Sequence, residues 1–243
     1  MNKTTNTWFT AWFDTPFYHI LYKERDHTEA HAFMDTLTEY LNVPEGGRIL
    51  DLACGRGRHA LYLNKLGYDV TGVDLSDNSI AYAKQYENHR LRFLVHDMCE
   101  PVGQSFDAVF NLFTSFGYFE HDEDHLKTIK AIKSDLNADG FGVIDFMNSD
   151  FVKEHLVPEE EKTLEGIRFN IKRYTEGDYI MKDIAFEASG ESYFFQERVR
   201  AFNLADFETL FEQAGVYLLD VFGDYKLRHF HPKSSERLVM IFK

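Results

Sequence analysis

The stretch ILDLACGRGRHALYLNKLGYDVTGVDLS, Ile49 to Ser76, constrains this chain more than any other. An apolar strand runs into a glycine turn, the turn into a helix, and the helix into a second strand that ends on Asp74. Strands alternating with helices in this way build a parallel sheet. Gly55 and Gly57 permit positive φ and let a ligand approach the backbone. The N-terminus of the next helix suits an anionic group. The order therefore specifies a pocket for a nucleotide-like ligand and leaves open which one.

The pattern continues on both sides. Ala30, Phe33, Met34, Leu37 and Leu41 form a helical stripe,. Strands are predicted at 48–52, 69–73, 91–95, 106–111 and 141–146. Helices are predicted at 58–66, at 76–86 with Ser76 as N-cap, at 122–136 and at 204–214,. Asp122, Glu123 and Asp124 crowd the start of the third of these, where the helix dipole favours negative charge,. Strand-like runs fill 163–202, separated by TEGD and SG, and read as an antiparallel meander,. Two more strands, 217–222 and 237–242, complete seven. The expected fold is α/β: a mostly parallel seven-stranded sheet with helices on both faces and an inserted β meander. The expected division is 1–150 for lead-in helices and the first part of the core, 151–201 for the meander, and 202–243 for the rest of the core.

Composition removes several classes of function. The formal net charge of −14 repels a phosphate backbone, and no Lys/Arg cluster offsets it, so nucleic acid is not an expected partner,. No apolar run approaches the ~20 residues that span a bilayer. The first residues lack a signal-peptide pattern, so a cytoplasmic protein is expected. Cys54 and Cys99 have no CxxC spacing and read as free thiols,. HFHP at 229–232 lacks partner ligands, and no metal is expected.

The glycine turn excludes a Walker A loop, because no G-K-[ST] follows it,. Gly55-x-Gly57-x-x-Ala60 does fit a dinucleotide fingerprint,. Asp51 argues against that ligand, since its carboxylate would stand near a pyrophosphate. Asp51, Asp74 and Asp97 end three successive strands. An acid at the position of Asp74 can accept from both hydroxyls of a ribose. One at Asp97 can accept from an exocyclic amine.

In this order the motifs resemble the class I S-adenosylmethionine-dependent methyltransferases. LDLACGRGRH is similar to the first motif of that family, GVDLS to the second, HDM to the third and FDAVFNLFTSFGYF to the fourth. Ala53 departs from the pattern, since many members have glycine there. The resemblance implies a Rossmann-like fold and S-adenosylmethionine as cofactor. It implies that Asp51, Ala53 and Gly55 line the methionine part, that Asp74 holds the ribose, that Asp97 and Met98 frame the adenine, and that Asn111 and Leu112 border the amine. Tyr22, Cys54 and Leu75 complete the expected cofactor site.

The acceptor is expected to be a small soluble molecule lying beyond the strand ends, in a monomer or homodimer. Tyr18, Phe116, Tyr118, Tyr193, Arg198 and His229 are the candidate acceptor contacts, with Arg25, Gln196 and Arg200 nearby in sequence. An inward Arg198 or Arg200 would favour an acceptor with a carboxylate. Methyl transfer is an in-line displacement that needs a base only when the nucleophile arrives protonated. No catalytic base can be read, and Tyr22, Tyr118, Tyr193 and His229 are candidates only. A cofactor-binding module without turnover, or an NAD-dependent oxidoreductase, are the alternative functions.

Overall fold

The computed structural model describes residues 12–23 and 27–243, so Arg25 lies outside the described residues. A seven-stranded sheet forms the centre. Its strands are β1 (Arg48–Leu52), β2 (Asp69–Asp74), β3 (Leu91–Val95), β4 (Phe106–Asn111), β5 (Leu136–Met147), β10 (Leu218–Phe222) and β11 (Arg237–Phe242). They lie in the order β10-β11-β5-β4-β1-β2-β3. β1 pairs in parallel with β2 on one side and β4 on the other, and β11 runs antiparallel to β5. The chain therefore reverses its direction of travel across the sheet at β1, and the crevice beyond the β1 and β4 ends is where such sheets bind ligands.

Helices α2 (His27–Tyr40), α3 (Arg58–Lys65), α4 (Asp77–Ala83), α5 (Asp122–Asp135) and α7 (Leu204–Ala214) accompany this sheet. Two apolar clusters pack around it. Phe33, Met34 and Leu37 of α2 join Leu63, Phe93 and Phe110 in one. Phe207 and Phe211 of α7 join Ile129, Ile132, Phe146 and Phe242 in the other. Ser76 caps α4 by accepting from the Ser79 N–H at 2.9 Å, as its sequence position implies.

Between β5 and α7 stands a separate antiparallel sheet of four strands, preceded by the short helix α6 (Ser149–Glu154). Its strands are β6 (Glu159–Leu164), β7 (Ile167–Glu176), β8 (Tyr179–Ala188) and β9 (Glu191–Arg200), in chain order. β6 was not evident from sequence. EEEKTL has no apolar alternation because this edge strand is largely exposed on both faces. The lead-in helix α1 (Pro16–Leu21) sits on the meander. Trp12 and Leu21 share an apolar cluster with Phe169, Ile171, Ile184 and Phe186.

Candidate active site

The turn after β1 passes through three left-handed residues: Ala53 (φ 64°), Gly55 (φ 55°) and Gly57 (φ 79°). The glycines serve different ends. A Cβ on Gly57 would meet the Phe93 ring at 2.6 Å, so packing against β3 forbids one. A Cβ on Gly55 would meet nothing within 4 Å, so this backbone faces open space.

Two carboxylates pin the turn. Asp51, buried, accepts from the Ala60 N–H at 3.0 Å. Asp74 accepts from the Gly55 N–H at 2.8 Å and the Ser76 N–H at 2.9 Å. Burial pushes the Asp51 carboxyl up to about 7, with the charge of Asp74 adding to it and the Ala60 N–H and Arg58 opposing it. Burial also raises Asp74, against the N–H groups of Ser76 and Gly55. A site lined by two acids that each feel burial, one of them also the charge of the other, is suited to a cation,.

The space beside this turn is a cavity of about 710 Å³. The turn, Asp51 and Asp74 form one part of its lining, Tyr18 and Tyr22 of the lead-in another, and Leu112, Phe113 and Tyr118 after β4 a third. A second cavity, of about 440 Å³, adjoins it. Arg58, Phe113, Thr114 and Tyr118 line both. The meander strands β8 and β9 supply Ile180, Lys182, Glu197 and Val199 to the second cavity, and the central sheet supplies Met147 and Arg237.

Seven of the expected cofactor residues line the larger cavity: Tyr22, Asp51, Ala53, Cys54, Gly55, Asp74 and Leu112. Four lie elsewhere. Leu75 is exposed. Asp97 is exposed, and its carboxylate accepts from the Cys99 N–H at 2.9 Å. Met98 packs on the second apolar cluster. Asn111 is wholly buried and donates to the Leu52 carbonyl at 3.1 Å, while its Oδ1 has no partner among the described residues.

Of the expected acceptor contacts, Tyr18 and Tyr118 line the larger cavity. Phe116 does not; it is fully buried against His125, Phe202 and Phe207. Tyr193 stacks on Phe186, with its hydroxyl on Glu191. Arg198 lies over the Tyr179 ring, and Arg200 pairs with Asp178 and Asp122. Gln196 donates to Asp183. The physical reason is strand alternation: Glu197 and Val199 line the second cavity, so residues 196, 198 and 200 project from the other face,. His229 is exposed beside His231. Burial and then the adjacent Glu197 raise the Tyr22 phenol well above its ordinary range, so it holds its proton.

Sequence reasoning missed the loop Phe113–Thr114, which has left-handed backbone at both residues (φ 57° and 60°) although neither is glycine. It also missed the buried group that joins the lead-in to the meander. Trp12 Nε1 and the Tyr22 hydroxyl donate to Glu197 Oε1 at 2.7 and 2.6 Å, and Lys182 donates to the Tyr22 hydroxyl. Among the described residues no cluster of metal-ligating side chains occurs, and no helix is long and apolar enough to cross a membrane. Cys54 and Cys99 are free.

Residues 49–140 match the family model described as "Methyltransferase domain". YqeM of Bacillus subtilis, whose name carries a methyltransferase assignment, is 30% identical over 214 residues, covering 82% of this chain and 86% of the relative. This chain belongs to the class I S-adenosylmethionine-dependent methyltransferases. The glycine/sarcosine N-methyltransferase of Aphanothece halophytica is 28% identical over 221 residues, or 87% of this methyltransferase and 73% of that one. The fold is also that of an S-adenosylmethionine-dependent methyltransferase from Clostridium acetobutylicum, with a TM-score of 0.80 at 19% identity over 93% of this chain and 95% of the other. The cofactor of this methyltransferase is thus S-adenosylmethionine, and an oxidoreductase or a module outside the enzyme class is set aside. In the turn, Gly55 leaves room at the backbone, and Asp51 and Asp74 line the cavity beside it.

Proposed function

We propose that this methyltransferase transfers a methyl group to a nitrogen of a small soluble acceptor. The second cavity carries the reading. It adjoins the cofactor cavity, has the volume of a small-molecule site, and shares Phe113, Thr114 and Tyr118 with it,. A cavity of this size encloses most of a small ligand. The nitrogen nucleophile is favoured by the glycine/sarcosine N-methyltransferase relative.

In this reading Asp51 faces the cationic amine of the cofactor, Asp74 accepts from its ribose, and the Gly55 backbone lies against it. S-adenosylmethionine supplies a methyl group on a sulfonium that is a good leaving group. The chain's own contribution is alignment and exclusion of water. Phe113 and Tyr118 form the passage between the cavities and orient the acceptor nitrogen along the line of displacement. The meander and the lead-in, joined through Trp12, Tyr22 and Glu197, cover the passage. An amine that arrives unprotonated needs no base, which suits a site where Tyr22 holds its proton.

The test is a competition. Methyl-labelled S-adenosylmethionine is incubated with the protein and a mixture of metabolites, protein extract and RNA. Label is expected in nitrogen-methylated metabolites. Label confined to macromolecules removes the small-acceptor reading.

A further inference from the structure

On β8 and β9, apolar rows flank one charged row of the meander's inner face. Strand register sets Ile171, Ile184 and Phe195 side by side, and likewise Ile180 and Val199. Between these rows Arg173 of β7 is opposite Lys182 of β8, which is opposite Glu197 of β9. All three line the second cavity. Their side chains are largely withdrawn from solvent, at 23%, 15% and 10% exposure.

Arg173 opposite Lys182 is a like-charge pair, unfavourable in a sheet and offset in part by Glu160 at 2.6 Å from Arg173 and Glu197 at 3.7 Å from Lys182,. On β8 and β9 the neighbouring rows are apolar, so packing of these strands does not by itself require a cation at this position. Two more cations line the same cavity: Arg58 from α3 and Arg237 from β11. Among the described residues the acids in the lining are Glu29 and Glu197, in a chain whose net charge is −14. The carboxylates that fix two of the guanidiniums, Glu160 at 2.6 Å from Arg173 and Asp145 at 2.7 Å from Arg237, are not part of the lining. They orient the guanidiniums without occupying the cavity. A fixed guanidinium fork beside an ammonium is a receptor for an oxyanion.

We infer that the second cavity is an anion subsite, and that the acceptor carries a carboxylate or a phosphate ester held by Arg173 and Lys182, with Arg237 and Arg58 facing it. The inference rests on the small-acceptor reading above. It assigns to β7, β8 and β11 the specificity that the sequence suggested for Arg198 and Arg200. The apolar residues Met147, Val152, Ile180 and Val199 surround the rest of the acceptor, and its nucleophilic end points through Phe113 and Tyr118 toward the cofactor cavity.

The experiment has two arms. In the first, small molecules labelled by the protein from a metabolite extract are separated by ion exchange and identified by mass. Carboxylate- or phosphate-bearing products are expected, and their masses tell the two anions apart. Labelled small products lacking any anionic group overturn the inference and leave the small-acceptor reading intact. Label found only in macromolecules removes both. In the second arm the identified acceptor is compared with its neutral amide or dephosphorylated analogue. The protein is expected to favour the anionic form at least tenfold in kcat/KM. Arg173→Met should raise KM for the anionic acceptor at least tenfold, change kcat less, and remove the preference. Arg173→Lys should restore part of it. S-adenosylhomocysteine affinity serves as the folding control and should not change. A preference that survives Arg173→Met and Lys182→Met in folded protein overturns the assignment.

Discussion

Arg237 Nη2 lies 2.7 Å from Asp145 Oδ1, and the Asp145 side chain has no exposure to solvent. The pair does more than neutralise a buried acid. Asp145 Oδ2 accepts from the Phe113 N–H at 2.7 Å, and the Asp145 carbonyl accepts from the Thr114 N–H at 3.0 Å. Arg237 also donates to Thr114 Oγ1 at 3.0 Å. The two left-handed residues that separate the cavities are therefore held by one ion pair formed between β5 and β11.

Removing Arg237 should be costly. Burial raises the Asp145 carboxyl, and Arg237 is the largest influence opposing this. Arg237→Met would strand that carboxylate, an effect of about 3–5 kcal/mol for a buried pair. Denaturant unfolding should show the loss, and Arg237→Met with Asp145→Asn should recover part of it. A single variant as stable as the parent would mean that the pair does not hold the loop.

If Asp51 faces the cofactor amine as proposed, cofactor affinity should depend on pH. Its carboxyl sits at about 7 in the free protein against an ordinary 3.8. A group raised in this way favours the native state while protonated; that contribution is fully present below 3.8 and is lost as pH climbs through about 7,. The cationic amine of the ligand favours the ionised form. Binding of S-adenosylhomocysteine should thus release a proton below pH ~7 and weaken up to about tenfold for each unit of acidification there. Calorimetry in buffers of different ionisation heat measures both effects. Asp51→Asn should bind weakly with a flat profile; a flat profile in the unaltered protein would remove Asp51 from the cationic end of the site.

The central sheet was legible because its strands are apolar runs divided by helices of clear period, and the turn because Gly55, Gly57 and the terminal acids are chemically distinctive. What escaped depended on contacts distant in sequence. EEEKTL forms a strand only by pairing with β7. Phe113 and Thr114 adopt left-handed backbone only because Asp145 and Arg237 hold them. The inward face of β9 turned on a single-residue phase: Glu197, not Arg198, reaches the cavity. Phe116, an aromatic in a motif, proved to be core because Phe202 and Phe207 come from an element far along the chain to cover it.

Asp74 holds the turn, and in the proposed site it also accepts from the ribose. Asp74→Ala removes acceptors from the Gly55 and Ser76 N–H groups. Stability should fall by about 1–3 kcal/mol, and affinity for S-adenosylhomocysteine by roughly 10- to 150-fold, if the same carboxylate accepts from the ribose. Measuring affinity well below the melting transition separates the two losses. Reduced stability with unchanged affinity would confine Asp74 to holding the turn.

Ala53 offers a test in the stabilising direction. Replacing alanine by glycine ordinarily costs stability, since the unfolded glycine chain has more freedom, an effect of about 0.4–1 kcal/mol. At Ala53 the backbone is left-handed (φ 64°), where a Cβ costs roughly 1–2 kcal/mol,. The second effect exceeds the first, so Ala53→Gly should raise stability by up to about 1.5 kcal/mol, the difference of these two ranges. The residue lines the larger cavity, the proposed cofactor site, so the smaller side chain should leave S-adenosylhomocysteine affinity equal or better. Thermal unfolding with and without ligand reads both. A fall in Tm without ligand would mean that the methyl group of Ala53 makes packing contacts worth more than the strain it imposes.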